Sequence, residues 1–259
     1  RTTLRPTNHL ELRLNGSLGE AIDFTLGGFY FDQDGTLEAN VNLAYVPLNF
    51  IHGPDPTPSD SKAVFGHAVW HITDNLNLSA GVRYTKDHKE YTYFRRNPDG
   101  TLPQLCLPGL PPFAIQNPPN CALFDPVEGR ALFDISADFD SEQTDYRVAL
   151  DYHFTEDFMT YAQVATGYKG GAVNPRPFFI VQIETFEPEE MDTYEIGFKS
   201  TLFDNRMRLN VAAFYNVEIA TESGDIYVES GNYRFHSCDC YLTGNAVGLP
   251  HIGLQVKTR

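Results

Sequence analysis

Apolar and polar residues alternate through the stretch "YEIGFKSTLFDNRMRLNVAAFYN", which runs from Tyr194 to Asn216. Tyr194, Ile196, Phe198, Ser200 and Leu202 interleave with Glu195, Gly197, Lys199 and Thr201. A period of two puts successive side chains on opposite faces of a strand. After Phe203-Asp204-Asn205, the alternation resumes with Met207, Leu209, Val211, Ala213 and Tyr215 against Arg208, Asn210, Ala212, Phe214 and Asn216. A connection this short forces the two strands antiparallel. Such a chain must find a partner for one long apolar face and a different environment for the other.

The pattern recurs along the chain. Leu10, Leu12 and Leu14 alternate with Glu11 and Arg13, and Ile22, Phe24, Leu26, Gly28 and Tyr30 alternate with Asp23, Thr25 and Gly27. The segment 62–72 reads as a strand. Leu76 to Tyr84, Tyr146 to Phe154 and Phe158 to Tyr168 repeat the alternation, and "HIGLQVKTR" begins one more. The reading is about nine strands of roughly 8–12 residues each, and no helical stripe beyond about two turns.

The connections alternate as well. Thr73-Asp74-Asn75, Thr155-Glu156-Asp157 and Phe203-Asp204-Asn205 are short, whereas 32–61, 96–142, 169–191 and 219–250 are long. The long segments hold most of the proline and all four cysteines. They read as loops, with local strand extensions at 37–45 and 226–235. Compact domains seldom carry several structureless connections of this length. An outer-membrane barrel does, because it has short turns at one end and long loops at the other.

Alternation alone also fits a soluble sandwich with one solvated face, and a secreted carbohydrate-binding β-sandwich module is the alternative reading. Strand length, alternating turn length and aromatics near strand ends (Tyr84, Phe154, Phe158, Tyr168, Tyr194, Phe203, Tyr215) favour a transmembrane barrel. The expected fold is therefore all-β: an antiparallel up-and-down meander of about nine strands, forming an open fragment of a larger transmembrane β-barrel. With 34 acidic and 19 basic residues, the formal net charge is -15, which argues against a nucleic-acid partner. No P-loop, Ser-His-Asp arrangement or nucleophile elbow stands in the chain, so an enzyme is not expected.

Several ordered motifs then carry a family resemblance. Gly167-Tyr168-Lys169-Gly170-Gly171, Pro188-Glu189, Tyr194-Glu195-Ile196-Gly197-Phe198-Lys199, Phe203-Asp204-Asn205-Arg206, Leu209-Asn210 and Phe214-Tyr215 follow one another. Together they resemble the barrel of TonB-dependent receptors of Gram-negative outer membranes. The segments 10–31 and 65–87 look like the preceding hairpins, and 244–257 like the following strand, with Gln255 where the family often has an acidic residue. The resemblance implies a central section of a barrel of roughly 22 strands. The family's plug domain and last strands are expected to lie outside residues 1–259. It further implies energy-dependent uptake of a scarce nutrient such as a ferric siderophore. The implied partners are outer-membrane lipid, the small-molecule ligand and an energy-transducing periplasmic protein; no cofactor is implied.

Candidate residues follow from position. Arg83, Arg147, Asp151, Glu195, Lys199 and Arg208 fall on the polar face and are expected to line the lumen. Tyr168, Lys169, Asn174 and Arg176 open a long loop, where aromatic and cationic groups suit an anionic ferric chelate. Cys106 and Cys121 bracket a Pro-rich loop and form a candidate disulfide. His236, Cys238 and Cys240 are too few for a closed metal site. The loop acids Asp55, Asp60, Asp99, Asp125, Glu128, Asp138 and Asp140 read as solvated charge, and the Arg95-Arg96 pair as too small to matter.

Overall fold

The structure is a computed structural model that describes residues 2–4, 7–43, 48–109, 118–178, 180–204, 206–219 and 251–258. Cys238, Cys240 and the expected extension at 226–235 lie outside the described residues. The strands in chain order are β1 (Thr2–Leu4), β2 (Asn8–Leu18), β3 (Ile22–Gln33), β4 (Gly35–Leu43), β5 (Leu48–Pro56), β6 (Ser59–Thr73), β7 (Leu76–Arg96), β8 (Phe124–Asp125) and β9 (Arg130–Ala131). They continue with β10 (Phe133–Thr155), β11 (Phe158–Lys169), β12 (Ala172–Val173), β13 (Thr185–Phe186), β14 (Glu189–Leu202), β15 (Met207–Ile219) and β16 (His251–Thr258). Only 3₁₀ turns interrupt the strands among the described residues.

Twelve of these strands form one sheet. Nine of the twelve (β2, β3, β6, β7, β10, β11, β14, β15 and β16) pair antiparallel in chain order, so the expected meander is the wall of the molecule. The sheet does not close on itself. A sandwich would stack two large sheets face to face; the described residues place the alternating strands in a single sheet.

The register explains the alternation. Leu18, Ile22, Trp70, Leu78, Leu150, Ala162, Ile196 and Ala213 are cross-strand neighbours, one apolar row running straight across eight strands. One residue along each strand, the row Ser17, Asp23, Val69, Ser79, Ala149, Gln163, Glu195 and Phe214 lies on the opposite face, where polar residues predominate. The apolar side is open: Leu12 is 67% exposed, Val64 61% and Ile196 64%. An uncovered apolar surface of this extent is foreign to a soluble monomer.

The band has an edge toward the long loops. The row Leu10, Tyr30, Lys62, Lys86, Glu142 mixes aromatic and charged residues, and the next row, Asn8, Asp32, Asp60, His88, Asp140, is polar throughout. The strand span from Thr144 to Phe154 between this edge and the turn matches the ~9–11 residues that a tilted strand needs to cross a bilayer.

The short turns are built locally. The Thr73 hydroxyl accepts hydrogen bonds from the amides of Asn75 (3.3 Å) and Leu76 (3.1 Å), and the Thr155 hydroxyl accepts from Asp157 (3.3 Å). Phe203 and Asp204 both take left-handed backbone angles (φ 55 and 50), as a right-twisted hairpin requires. On the polar face, Gly27 and Gly197 lie beneath aromatic rings. A Cβ at Gly27 would stand 2.2 Å from the Phe65 ring, and one at Gly197 2.7 Å from Tyr161.

Two strands run beyond their expected ends. β7 continues to Arg96 and β10 begins at Phe133, forming a long hairpin arm paired from Tyr152–Leu76 to Phe133–Phe94. The segment expected as a loop at 32–61 contains the β4–β5 hairpin, whose β5 takes over the edge of β7 at Ile51–Arg96 and His52–Arg95 after β6 has ended.

A charge on the apolar face tests this arrangement. Leu150→Arg should destabilise the full-length protein in lipid vesicles by ~2–4 kcal/mol, since Leu150 lies well inside the apolar band. Reversible denaturant unfolding monitored by tryptophan fluorescence reads the change; an effect below about 0.5 kcal/mol would place Leu150 away from lipid.

Candidate functional site

The polar face carries a lattice of side-chain contacts between strands. Arg147 donates from Nε and Nη2 to Oε1 of Gln163 on β11 (2.9 and 2.6 Å). Asn77 on β7 donates to Asp151 on β10 (2.8 Å), and His153 lies 3.2 Å from the same carboxylate. The Tyr161 hydroxyl donates to Glu195, and Lys199 stands 5.4 Å from the centre of the Tyr161 ring. The Arg83 guanidinium lies over Phe29 (5.2 Å) and Phe65 (5.7 Å) and donates to Thr85 (3.1 Å). Lys199 and Arg208 line a shallow groove with His153 and Glu156 at the short-turn end. All six residues expected on this face therefore share it by register.

At the long-loop end the polar face is covered. β11 leaves β10 after the pair Arg147–Ala165, and its continuation crosses over the β7–β10 arm. The Tyr168 hydroxyl donates to Asp87 of β7 (2.7 Å). Beyond it, residues 170–178 and 180–186 form a strap, closed by the small β12–β13 ladder and by the Asn174 amide bonded to the Glu184 carbonyl (2.8 Å). Val173 is buried among Tyr91, Tyr93, Leu132 and Phe139, with Ile180 and Ile183 packed alongside. Lys169 pairs with Glu189 (3.0 Å), Asn174 donates to the Gln182 carbonyl (2.9 Å), and the Arg176 side chain is exposed. The four residues expected to begin a ligand loop thus divide: Tyr168, Lys169 and Asn174 make contacts within the fold, and Arg176 projects outward.

Beneath the strap is a buried polar centre. Asp55 and Arg95 are both fully buried and joined at 2.7 Å. The Asp55 carboxylate also accepts from the Tyr91 hydroxyl (2.9 Å) and the Phe94 amide (2.8 Å), and His52 Nδ1 lies 3.0 Å away. That imidazole nitrogen is close to the carboxylate without the alignment of a hydrogen bond. Burial by itself would push the Asp55 pKa up; His52, Arg95 and the Phe94 amide outweigh burial and hold it below the ordinary carboxylate value. Burial pushes Tyr93 up to about 12. The expectation of solvated charge fails for Asp55 and for the buried Asp125, which caps its own turn through the amides of Val127 and Glu128. Arg95, set aside as part of a minor basic pair, proves to be the partner of Asp55. Only the pairing of β5 with β7 brings positions 55 and 95 together, and no local spacing announces it.

The loop that packs against the hairpin supplying Asp55 is closed by a staple of its own. Cys106 and Cys121 are joined by a disulfide with their Cα atoms 4.9 Å apart. The turn that follows packs Ala122 and Leu123 against Leu48 and Phe50 of β5. Asn120 accepts from the Asn49 amide (2.9 Å) and donates to its carbonyl (2.8 Å), mimicking one rung of a sheet.

Comparison with known proteins agrees with this architecture. A family profile described as "TonB dependent receptor-like, beta-barrel" matches residues 1–217. The chain belongs to the TonB-dependent receptor β-barrel family. Members of this family are outer-membrane proteins of Gram-negative bacteria. The pesticin receptor of Yersinia pestis is 24% identical over 251 residues, which are 96% of this chain and 31% of the relative. Among solved structures, the ferric yersiniabactin uptake receptor FyuA from Yersinia pestis superposes with a TM-score of 0.61 at 20% identity, covering 81% of this chain and 28% of that one. The ferric-catecholate import receptor Fiu from E. coli K12, in its closed form, gives 0.53 at 17% identity, covering 82% and 31%. At such identities the likeness is one of fold. The chain spans about a third of the length of the curated relatives it matches.

Two outcomes test the buried centre. Asp55→Ala leaves the Arg95 guanidinium buried without its carboxylate, and the loop end should lose ~3–5 kcal/mol of local stability while the wall strands keep theirs. Amide exchange of the β4–β5 hairpin measures it. Acid should have the same effect. Because the folded Asp55 pKa is depressed, its contribution is complete above the ordinary value of 3.8 and fades as pH falls through the lower folded value. Exchange protection of β5 should therefore hold at pH 5 and decline only below about pH 4.

Proposed function

We propose that this chain is one section of the wall of a receptor that takes up a ferric siderophore or a similar scarce nutrient across the outer membrane. The apolar rows face lipid, and Arg83, Arg147, Asp151, Glu195, Lys199 and Arg208 line the lumen. In the full-length protein a plug domain fills that lumen, for which the relatives, about three times the length of this chain, have room, and a separate energy-transducing periplasmic partner drives passage. The long-loop end presents the ligand-selecting surface, with Arg176 and its neighbours among the contacts.

The observation that carries this reading is the two-faced register. One row is apolar across eight strands, the adjacent row on the other face carries Ser17, Asp23, Ser79, Gln163 and Glu195, and the apolar band ends at a sharply charged row. A wall with this section suits a bilayer on one side and water on the other. The relatives' names, which speak of ferric yersiniabactin uptake, ferric-catecholate import and pesticin, supply the ligand class. Residues that would catalyse a reaction have no place in the proposal.

The test uses the full-length gene in a Gram-negative host stripped of its own iron-chelate receptors. Uptake of radioactive iron should appear with one class of ferric chelate from a panel and vanish when the proton gradient is collapsed. Uptake that survives collapse of the gradient, or iron-limited growth unchanged by the gene with every chelate, would reject the proposal.

A further inference from the structure

Two lysines stand together where the apolar band ends. Lys62 of β6 and Lys86 of β7 are directly opposite each other in register, in the row that closes the band toward the long loops. Among the described residues from β2 to β15, between the short turns and this row, no other lysine or arginine falls on the apolar side. Like charges directly opposite on a sheet repel each other. Each lysine has one carboxylate beside it: Lys62 lies 3.0 Å from Asp60, and Lys86 donates to Glu142. An ammonium carries three N–H donors, so both lysines keep donors for a shared anion. Both side chains are more than half exposed.

A groove runs from this pair toward the short turns. Gly28 of β3 forms its floor, Leu12, Tyr30, Val64 and Tyr84 its walls, and Lys62 and Lys86 border it on the loop side. Its volume of about 480 Å³ is in the range of small-ligand sites. Gly28 keeps it open, because a Cβ there would meet only the Ala63 carbonyl oxygen, at 3.9 Å. Tyrosine rings flank the cations: the Lys62 ammonium is 5.9 Å from the centre of the Tyr30 ring, and that of Lys86 5.7 Å from Tyr84.

We infer that this groove binds one membrane lipid with a phosphate headgroup, the phosphate bridging Lys62 and Lys86 and an acyl chain lying over Gly28. The inference rests on the reading of the apolar side as lipid-facing and adds a headgroup to it. The order of chemistry along the strands matches such a lipid: an apolar groove, then two cations, then the row of Asp32, Asp60, His88 and Asp140. A lipid at the edge of a bilayer presents its chain, its phosphate and then water in the same order. The carboxylates of the outer row repel a phosphate, so charge fixes the depth at which the headgroup stops. A phosphate between the two ammoniums also relieves their mutual repulsion. Asp60 and Glu142 weaken the pull of the pair on a dissolved anion, so apolar contact in the groove must supply part of the affinity. That favours a lipid over free phosphate.

Native mass spectrometry of the full-length receptor in a non-ionic detergent reads the site. Titrated with phosphatidylglycerol, the wild type should hold a single lipid more tightly than any further ones, and should hold diacylglycerol with the same chains far less well. Lys62→Gln/Lys86→Gln should weaken the tight lipid about tenfold, as the loss of two cations beside an anionic headgroup requires, while Lys62→Arg/Lys86→Arg should stay within about threefold. Gly28→Leu leaves both lysines in place and fills the groove, and should weaken the lipid by a similar factor. An unchanged unfolding midpoint checks that each variant keeps its fold. Equal retention of diacylglycerol, an affinity unmoved by the Gln pair or by Gly28→Leu, or displacement of the lipid by inorganic phosphate alone would each overturn the site. Failure of the lipid-facing reading looks different: the receptor would stay monodisperse without detergent, whichever lipid is added.

Discussion

Every backbone N–H and C=O within the hydrocarbon of a bilayer must be hydrogen-bonded by the protein, because no water is there to do it. A meander satisfies this demand strand by strand. Each wall strand from β3 to β15 is paired on both sides, and its wall partners are the wall strands before and after it in chain order. The short turns follow from the same constraint: they close hairpins at the end where the chain need only reverse. Period-two alternation then divides the side chains between lipid and water without further instruction. Among the described residues, the clusters of buried hydrophobic side chains, which organise most folds, lie at the loop end.

That loop end obeys different physics. Above the charged row of Asp32, Asp60, His88 and Asp140, both faces of the strands meet water or protein. Stability must come from small cores, a disulfide and buried polar contacts. Asp55 shows how such a centre is made tolerable. Its carboxylate meets a guanidinium, a phenol and an amide, and removing any one partner leaves charge or dipole unsatisfied. The same centre positions the donors that reach the strap. Loop architecture and the cover over the polar face are thus joined through one carboxylate.

The nine wall strands were legible because lipid imposes contrast. Leu76 to Tyr84 and Tyr146 to Phe154 alternate sharply, and both lie inside the band. The upper arm was not legible for the same reason. Asp87-His88-Lys89-Glu90 carries polar residues on both faces, so strand and loop look alike in sequence. β5 was hidden further by Pro54 and Pro56, which argue locally against a strand. It survives as a strand at the fork of the sheet, where Asp55 supplies through its side chain the acceptor for the Phe94 amide.

The sequence by itself determined the class of fold, the order of the wall strands, the ends of the short turns and the assignment of each wall residue to one face. These depend on neighbours two residues apart or on hairpins a few residues long, and local physics decides them. Tertiary structure alone decided that Asp55 meets Arg95, that the strap covers the polar face, and that Tyr168, Lys169 and Asn174 turn to contacts within the protein. Those contacts join positions up to 123 residues apart in the chain, as between His52 and Pro175. They depend on where three long connections fold back against one another, a packing outcome that no spacing within any one of them encodes.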